Sequence, residues 1–131
     1  MHQFDLGFAR VSRLETGIYE VVAAPAIEID GAMSARFHRF LDEQLRSPCH
    51  LLIDKKHDYS LSLEAMRNAG DHPLVRGIAF LVYRNSTAKI VELQQRLMRN
   101  RAIPVASFRD RDLALEWLRD LALPLRNHQA S

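Results

Sequence analysis

The sequence contains a single cysteine, Cys49, so no disulfide can form within the chain, and a reducing compartment is expected. No apolar run approaches the ~20 residues that a membrane-spanning helix needs. Residues 1–5 lack the basic start and the long apolar stretch of a signal peptide. The sequence also lacks a large excess of one charge, since it has 18 basic and 16 acidic residues and a net charge of +2. These absences predict a cytoplasmic protein with no membrane insertion and no nucleic-acid partner.

The motifs of the common catalytic and cofactor sites are missing as well. His57 and Asp58 with Ser60 or Ser62 supply the residue types of a hydrolytic triad, but the strained Gly-x-Ser-x-Gly turn that exposes a nucleophile does not occur. No histidine shares a predicted helix with a second histidine or cysteine at metal-ligand spacing, and no Gly-rich loop is placed to hold a phosphate. We therefore predict a protein that is not an enzyme, with no catalytic residues, no cofactor and no metal.

What the sequence does contain is an alternation of strand-like and helix-like segments over its 131 residues, of which 47% are hydrophobic. That length and composition predict one domain, residues 1–131, with residues 126–131 as a frayed tail. Strands are predicted over Leu6–Arg13, Ile18–Ala24, His50–Asp54, Gly77–Tyr83 and Ile103–Phe108. Helices are predicted over about Ala32–Leu45, through Leu63–Ala69, up to about Asn100, and from an Asp110 cap to Leu121.

The order of these segments predicts the fold class. Glu15-Thr16-Gly17 joins the first two strands as a hairpin turn, and Ile27–Ile29 extends the second of them. His50–Asp54 and Gly77–Tyr83 are continuous apolar runs, typical of parallel strands buried on both faces. The predicted fold is α/β: a mixed five-stranded sheet, antiparallel at its N-terminal hairpin and parallel in the centre, flanked by about four helices. An uncovered hairpin edge would favour a homodimer.

The third helix has a predicted start and a predicted buried face. Asn85-Ser86-Thr87 supplies residue types that cap helices. Four apolar residues at helical spacing are predicted to face the core: Ile90, Leu93, Leu97 and Met98.

The segment order resembles the STAS superfamily, named for sulphate transporters and anti-sigma-factor antagonists, and within it a group of small, mostly uncharacterised bacterial STAS-like proteins. Three segments carry the resemblance: His50–Asp54 entering a helix, Gly77–Tyr83 entering another, and Phe108–Leu118 at the end. The resemblance implies a non-enzymatic regulatory or protein-interaction domain. In the anti-sigma antagonists a serine at a helix start is phosphorylated to switch partner binding. Here the matching stretch offers Ser60 and Ser62, which can equally be capping residues.

Two loops are predicted to emerge together at the carboxyl ends of neighbouring parallel strands, where ligands bind in open α/β sheets. Anion binding at a helix start, with help from an arginine, is one reading of the second loop, and ordinary capping is the other. The candidate interaction or ligand site comprises Asp54, Lys55, Asp58, Ser60, Ser62, Arg84, Asn85 and Ser86.

The alternative function is a carrier for a small ligand, either a lipid or an anion. Its basis is a set of large flexible or aromatic side chains that could line a cavity, namely Met33, Phe37, Phe40 and Met66. A closed apolar cavity would favour the carrier, whereas a packed core with an exposed apolar helix face would favour the regulator. The expected partner is thus an unknown protein or a small apolar or anionic ligand.

Overall fold

The computed structural model describes residues 3–99 and 102–123, so the predicted frayed tail at 126–131 lies outside the described residues. Its strands are β1 Gln3–Asp5, β2 Ala9–Glu15, β3 Ile18–Ala23, β4 Glu28–Ile29, β5 Cys49–Asp54, β6 Ser60–Leu61, β7 Val75–Leu81 and β8 Val105–Phe108. Its helices are α1 Gly31–Gln44, α2 Leu63–Asn68, α3 Asn85–Leu97 and α4 Arg111–Leu121.

The main sheet has six strands in the order β1-β2-β3-β5-β7-β8. Strand β2 is antiparallel to both of its neighbours, β1 and β3, and β3, β5, β7 and β8 are parallel. This confirms the mixed α/β sheet with a hairpin at its start, but the count of five strands was wrong. The additional strand is β1, whose three residues pair with Arg10–Ser12 of β2. The predicted homodimer relied on an uncovered edge at the N-terminal hairpin. Strand β2, the outer strand of that hairpin, is not a free edge, because β1 pairs with it.

A second, two-stranded parallel sheet pairs β4 with β6. The prediction that Ile27–Ile29 extends the second hairpin strand is therefore wrong. Ala26 has a φ of 56°, in the left-handed region, and this turn takes the chain away from the main sheet. The pairing holds the loop after β5 in place, since Ser60 N donates to Ile27 O at 2.9 Å and Ala26 N donates to Asp58 O at 2.6 Å.

Alternation of side chains along the central strands divides the core between the two faces of the sheet. On one face, Cys49 and Leu51 of β5 pack with buried residues of α1 and α3. On the other face, Leu52 packs with Ala114 and Leu118 of α4. Burial on both faces explains why β5 and β7 read as continuous apolar runs. No helix of the described ranges is both long and apolar enough to cross a bilayer.

The helix ends test the capping predictions. Asp110 caps α4 as predicted, its carboxylate accepting from Leu113 N at 3.1 Å, and Gly70 follows α2 with a φ of 72°. The cap predicted for α3 was wrong. The helix starts at Asn85, and the extended residue before it, Arg84, makes no side-chain capping bond. Asn85-Ser86-Thr87 therefore forms the first turn instead of preceding it.

The buried face of α3 also differs from the prediction. Val91, Gln94 and Met98 are buried, while Ile90 and Leu93 are exposed. Apolar residues lie around so much of the circumference of this helix that their spacing does not determine which side of it faces the sheet. The structure turns a glutamine toward the sheet and two large aliphatic side chains toward the surface.

Candidate functional site

The carboxyl ends of the parallel strands lie side by side. In register, Val22 of β3 is opposite Asp54 of β5, which is opposite Leu81 of β7, and Leu81 is opposite Phe108 of β8. The loops that follow β5 and β7 therefore emerge together, as expected. Because successive side chains point to opposite faces of a sheet, Asp54 and Lys55 point to opposite faces. The predicted site is therefore divided into two parts, one on each face of the sheet.

Lys55 lies on the face covered by α1, α2 and α3, and only 4% of it is exposed. Its ammonium group is 4.5 Å from the ring centroid of Tyr59 and 5.6 Å from that of Phe80. None of the ion pairs formed within residues 3–99 and 102–123 includes Lys55. Burial lowers the pKa of Lys55 to about 8, because an apolar environment disfavours the charged form.

Below Lys55 is a cavity of about 100 Å³ between the sheet and the helices. Its walls are mostly apolar and come from β3, β5 and β7 on one side and from α1, α2 and α3 on the other. The polar residues that line it are Ser34, His38, Lys55, Tyr59 and Gln94. Burial, and secondarily the nearby His72, lowers the pKa of His38, which favours its neutral form in the cavity wall.

Gln94 is the second polar feature of the cavity. The residue is 3% exposed, and its side-chain oxygen Oε1 is buried without a hydrogen-bond partner. A buried acceptor that makes no hydrogen bond loses the free energy it had in water, about 1–3 kcal/mol. A ligand that donates a hydrogen bond would recover this loss.

A groove of about 600 Å³ lies outside the cavity, between the β4–β6 sheet and α3. The cavity and the groove share three lining residues, Lys55, Tyr59 and Leu61. The exposed side chains of Ile90 and Leu93 line the groove on the α3 side. The side chain of Lys55 therefore lies where the mostly apolar cavity adjoins the groove.

On the opposite face Asp54 is 2% exposed and belongs to a polar cluster. Its carboxylate accepts from Lys56 N at 3.1 Å and from the Tyr83 hydroxyl, and Arg111 Nη1 is 3.7 Å away. Arg111 also forms an ion pair with Glu20 of β3. Burial raises the pKa of Asp54 and outweighs the opposing effects of the Tyr83 hydrogen bond and of Lys56. The cluster attaches the first residue of α4 to two strands, which makes it a structural anchor.

The remaining predicted residues fall in three places. Asp58, Ser60, Arg84 and Ser86 line the groove, and Arg84 forms an ion pair with Asp58. Asn85 accepts instead from Arg109 Nη2 at 2.6 Å. Ser62 caps α2, its hydroxyl accepting from Ala65 N at 3.1 Å. The structure thus brings Lys55 together with four of the predicted residues and separates it from Asp54; a binding role for any of them stays a prediction.

Sequence reasoning missed Tyr59, Phe80 and Gln94 as components of the site. Of the four side chains predicted to line a cavity, Phe37 lines it and Met66 lines the groove. Met33 and Phe40 line neither space, and Phe40 packs on Phe4 with ring centroids 5.0 Å apart. The described residues contain no group of three or more His, Cys, Asp or Glu side chains placed to hold a metal ion.

The capping role of Ser62 is testable against its neighbour. We expect Ser62→Ala to lower the free energy of unfolding by about 1 kcal/mol, because it removes the acceptor for an otherwise unpaired helix N–H. Ser60→Ala, at an exposed position in β6, should change it by less than about 0.5 kcal/mol. Urea unfolding followed by the fluorescence of Trp117 measures both. Equal losses in the two variants would contradict the capping assignment.

Comparison with known proteins establishes the fold. The chain is similar to the crystal structure of an uncharacterised protein of the DUF3478 family, with a SpoIIAA-like fold, from Shewanella loihica PV-4. The TM-score is 0.58 and the sequence identity 17%, and the match covers 84% of this chain and 91% of the other. No protein-family model and no curated protein matches the sequence. The likeness confirms the predicted STAS-like architecture, and at this identity it shows the fold alone.

Proposed function

We propose that the protein binds a small, largely apolar molecule bearing one anionic group, with the apolar part in the cavity and the anion against Lys55. One observation supports this more than any other: Lys55 is buried, has no carboxylate partner among residues 3–99 and 102–123, and lines both an apolar cavity and the groove beside it. The cytoplasmic location predicted from the sequence is part of the proposal.

The energetics of Lys55 favour a ligand over a structural role. Burying an ammonium group costs several kcal/mol unless an opposite charge and hydrogen bonds offset the cost. The rings of Tyr59 and Phe80 offset a part of it through their π faces, worth about 0.5–2 kcal/mol. A bound carboxylate would supply the missing charge. A residue that lowers stability and yet occupies a cavity mouth is typical of a functional site.

The dimensions of the cavity restrict the ligand. An apolar cavity of about 150 Å³ accepts benzene, so about 100 Å³ suits a short chain, or a small ring that extends in part toward the groove. A larger molecule would extend past Lys55 into the groove, where Ile90 and Leu93 offer apolar contacts. Small aromatic or short aliphatic carboxylates are therefore the first ligands to test.

A thermal-shift titration with benzoate and hexanoate, combined with native mass spectrometry of the protein from its own host, tests this proposal. We expect the carboxylates to raise the melting temperature, since a ligand that binds only the folded state stabilises it. Ala65→Leu fills space beside the cavity and Lys55→Met removes the cation, so both should abolish the shift. Lys56→Met, outside the cavity lining, should retain it.

A regulatory or protein-interaction domain is the second candidate. The SpoIIAA-like fold supports it at a coarse level, and exposed apolar residues at α2 and α3, namely Leu63, Ile90 and Leu93, add to that support. Native mass spectrometry separates the two candidates. A co-purified small molecule favours the ligand-binding function, whereas a stoichiometric protein partner together with no carboxylate-induced shift would favour the regulator and contradict our first proposal.

A further inference from the structure

The chain contains three lysines, Lys55, Lys56 and Lys89, and their environments differ sharply. Lys56 and Lys89 are exposed, while Lys55 is buried beside two aromatic rings. Ammonium groups in water are protonated and do not react as nucleophiles. An amine surrounded by apolar side chains, without a carboxylate to hold its proton, is the usual environment of a nucleophilic lysine.

We propose that Lys55 forms a reversible imine with a small apolar aldehyde that enters the cavity. The inference rests on the proposed function, because it uses the same cavity and names a further class of ligand for it. Nothing in the fold likeness suggests this chemistry; it follows from the position of the Lys55 amine between the cavity and the groove.

The reaction balances without any oxidant, reductant or cofactor. The neutral Nζ attacks the carbonyl carbon of the aldehyde, and a C–N bond forms as the carbonyl π bond breaks. The two hydrogens of the amine leave with the carbonyl oxygen as water, which leaves a C=N double bond between Lys55 and the ligand. Hydrolysis reverses the step and releases the aldehyde unchanged.

The surroundings of Lys55 favour both the attack and the persistence of the imine. Burial lowers the pKa of Lys55 to about 8, so at pH 7 its neutral fraction exceeds that of an ordinary lysine by about two-hundredfold. The walls beside the product are mostly apolar and offer few groups that would hold the water needed for its hydrolysis. The unpaired Gln94 Oε1 lines the same cavity and can accept a hydrogen bond from the hydroxyl of the carbinolamine intermediate.

Other titratable groups also face this space. His38 and Tyr59 line the cavity with Lys55. The groove is lined by the titratable side chains of Glu28, His57, Asp58 and Arg84. Burial raises the pKa of the Tyr59 phenol, so Tyr59 keeps its proton across the range in which Lys55 titrates. The rate of imine formation should therefore rise with pH through the titration of the amine itself.

Reductive trapping tests the inference on the full chain. The protein is incubated with benzaldehyde and sodium cyanoborohydride at pH 7, and each lysine is mapped by peptide mass spectrometry. We expect a benzyl group on Lys55 at a rate at least tenfold above those on Lys56 and Lys89. Lys55→Met should lose this labelling and retain the labelling of the N-terminal amine. The same variant therefore measures the non-specific reaction.

Lys55→Arg separates this inference from the proposed function, because it keeps a cation in the cavity but lacks a primary amine. We expect Lys55→Arg to bind benzoate and to resist trapping. Labelling of Lys55 no faster than that of Lys56, in a protein whose melting temperature benzoate still raises, would overturn the imine and leave carboxylate binding in place. Absence of both the trapping and the benzoate shift would overturn both proposals.

Discussion

Replacing Lys55 with methionine is expected to raise the free energy of unfolding by about 2 kcal/mol at pH 7. The pKa of Lys55 falls from about 10.4 to about 8 on folding, and each unit is worth about 1.4 kcal/mol, so the folded state carries a penalty of about 3 kcal/mol for the charged amine. Methionine has a similar length, no charge and a sulfur that packs well against the rings of Tyr59 and Phe80. The lost cation–π contacts reduce the gain.

The gain should depend on pH in a definite direction. The folded-state pKa lies below that of the unfolded chain, so between about pH 8 and pH 10.4 the unfolded chain binds more protons. The penalty is therefore fully present below pH 8 and is relieved as pH rises to 10.4. The difference between Lys55→Met and the unaltered protein should shrink across that window, and Cys49, which titrates in both, cancels in the comparison.

Urea unfolding at pH 7 and pH 10 measures this difference. Lys89→Met, at an exposed position on α3, is the matched control and should change the free energy of unfolding by less than about 0.5 kcal/mol at either pH. A Lys55→Met variant that is less stable at pH 7, or a gain that does not change with pH, would contradict the assignment of Lys55 as a buried, unpaired cation.

The fold was largely predictable because its longest elements carry strong local patterns. The continuous apolar runs of β5 and β7 indicated strands buried on both faces, and the Asp110 cap indicated the start of α4. By contrast, β1 has three residues and β4 and β6 have two each. Alternation cannot be recognised over two or three residues. The two strands β4 and β6 form because the chain on either side of each is already held in place.

The site was predictable only in part. The rule that ligands bind beyond the carboxyl ends of parallel strands selected Lys55 and the loop at Arg84, and the structure places both in the lining of the groove, where a binding role for them stays a prediction. It also included Asp54, although alternation along β5 places consecutive side chains on opposite faces. The burial of Gln94 could not be predicted from the sequence. Helix α3 carries apolar residues around much of its circumference, and only tertiary packing decides which face is buried.

The cavity lies on one face of the sheet, and the stability of the other face depends on α4. We expect Leu118→Ala to lower the free energy of unfolding by about 2–5 kcal/mol, the range for a leucine removed from a close-packed core. Leu118 is 0% exposed and packs in a cluster with Ile18, Leu52, Ala79 and Leu81 of the sheet. Truncation removes these contacts and leaves an empty space. The strands cannot move to fill it, because their backbone hydrogen bonds hold them in the sheet.

Leu113→Ala is the matched control, since it makes the same chemical change on the same helix at a position that is 57% exposed. Its expected cost is below about 0.5 kcal/mol. Chemical denaturation of both variants, followed by far-ultraviolet circular dichroism, measures the pair. Because Leu118 and Lys55 lie on opposite faces of the sheet, native Leu118→Ala should still be trapped by benzaldehyde at Lys55. Equal losses in the free energy of unfolding for the two variants would show that α4 does not pack on β5 and β7 as described.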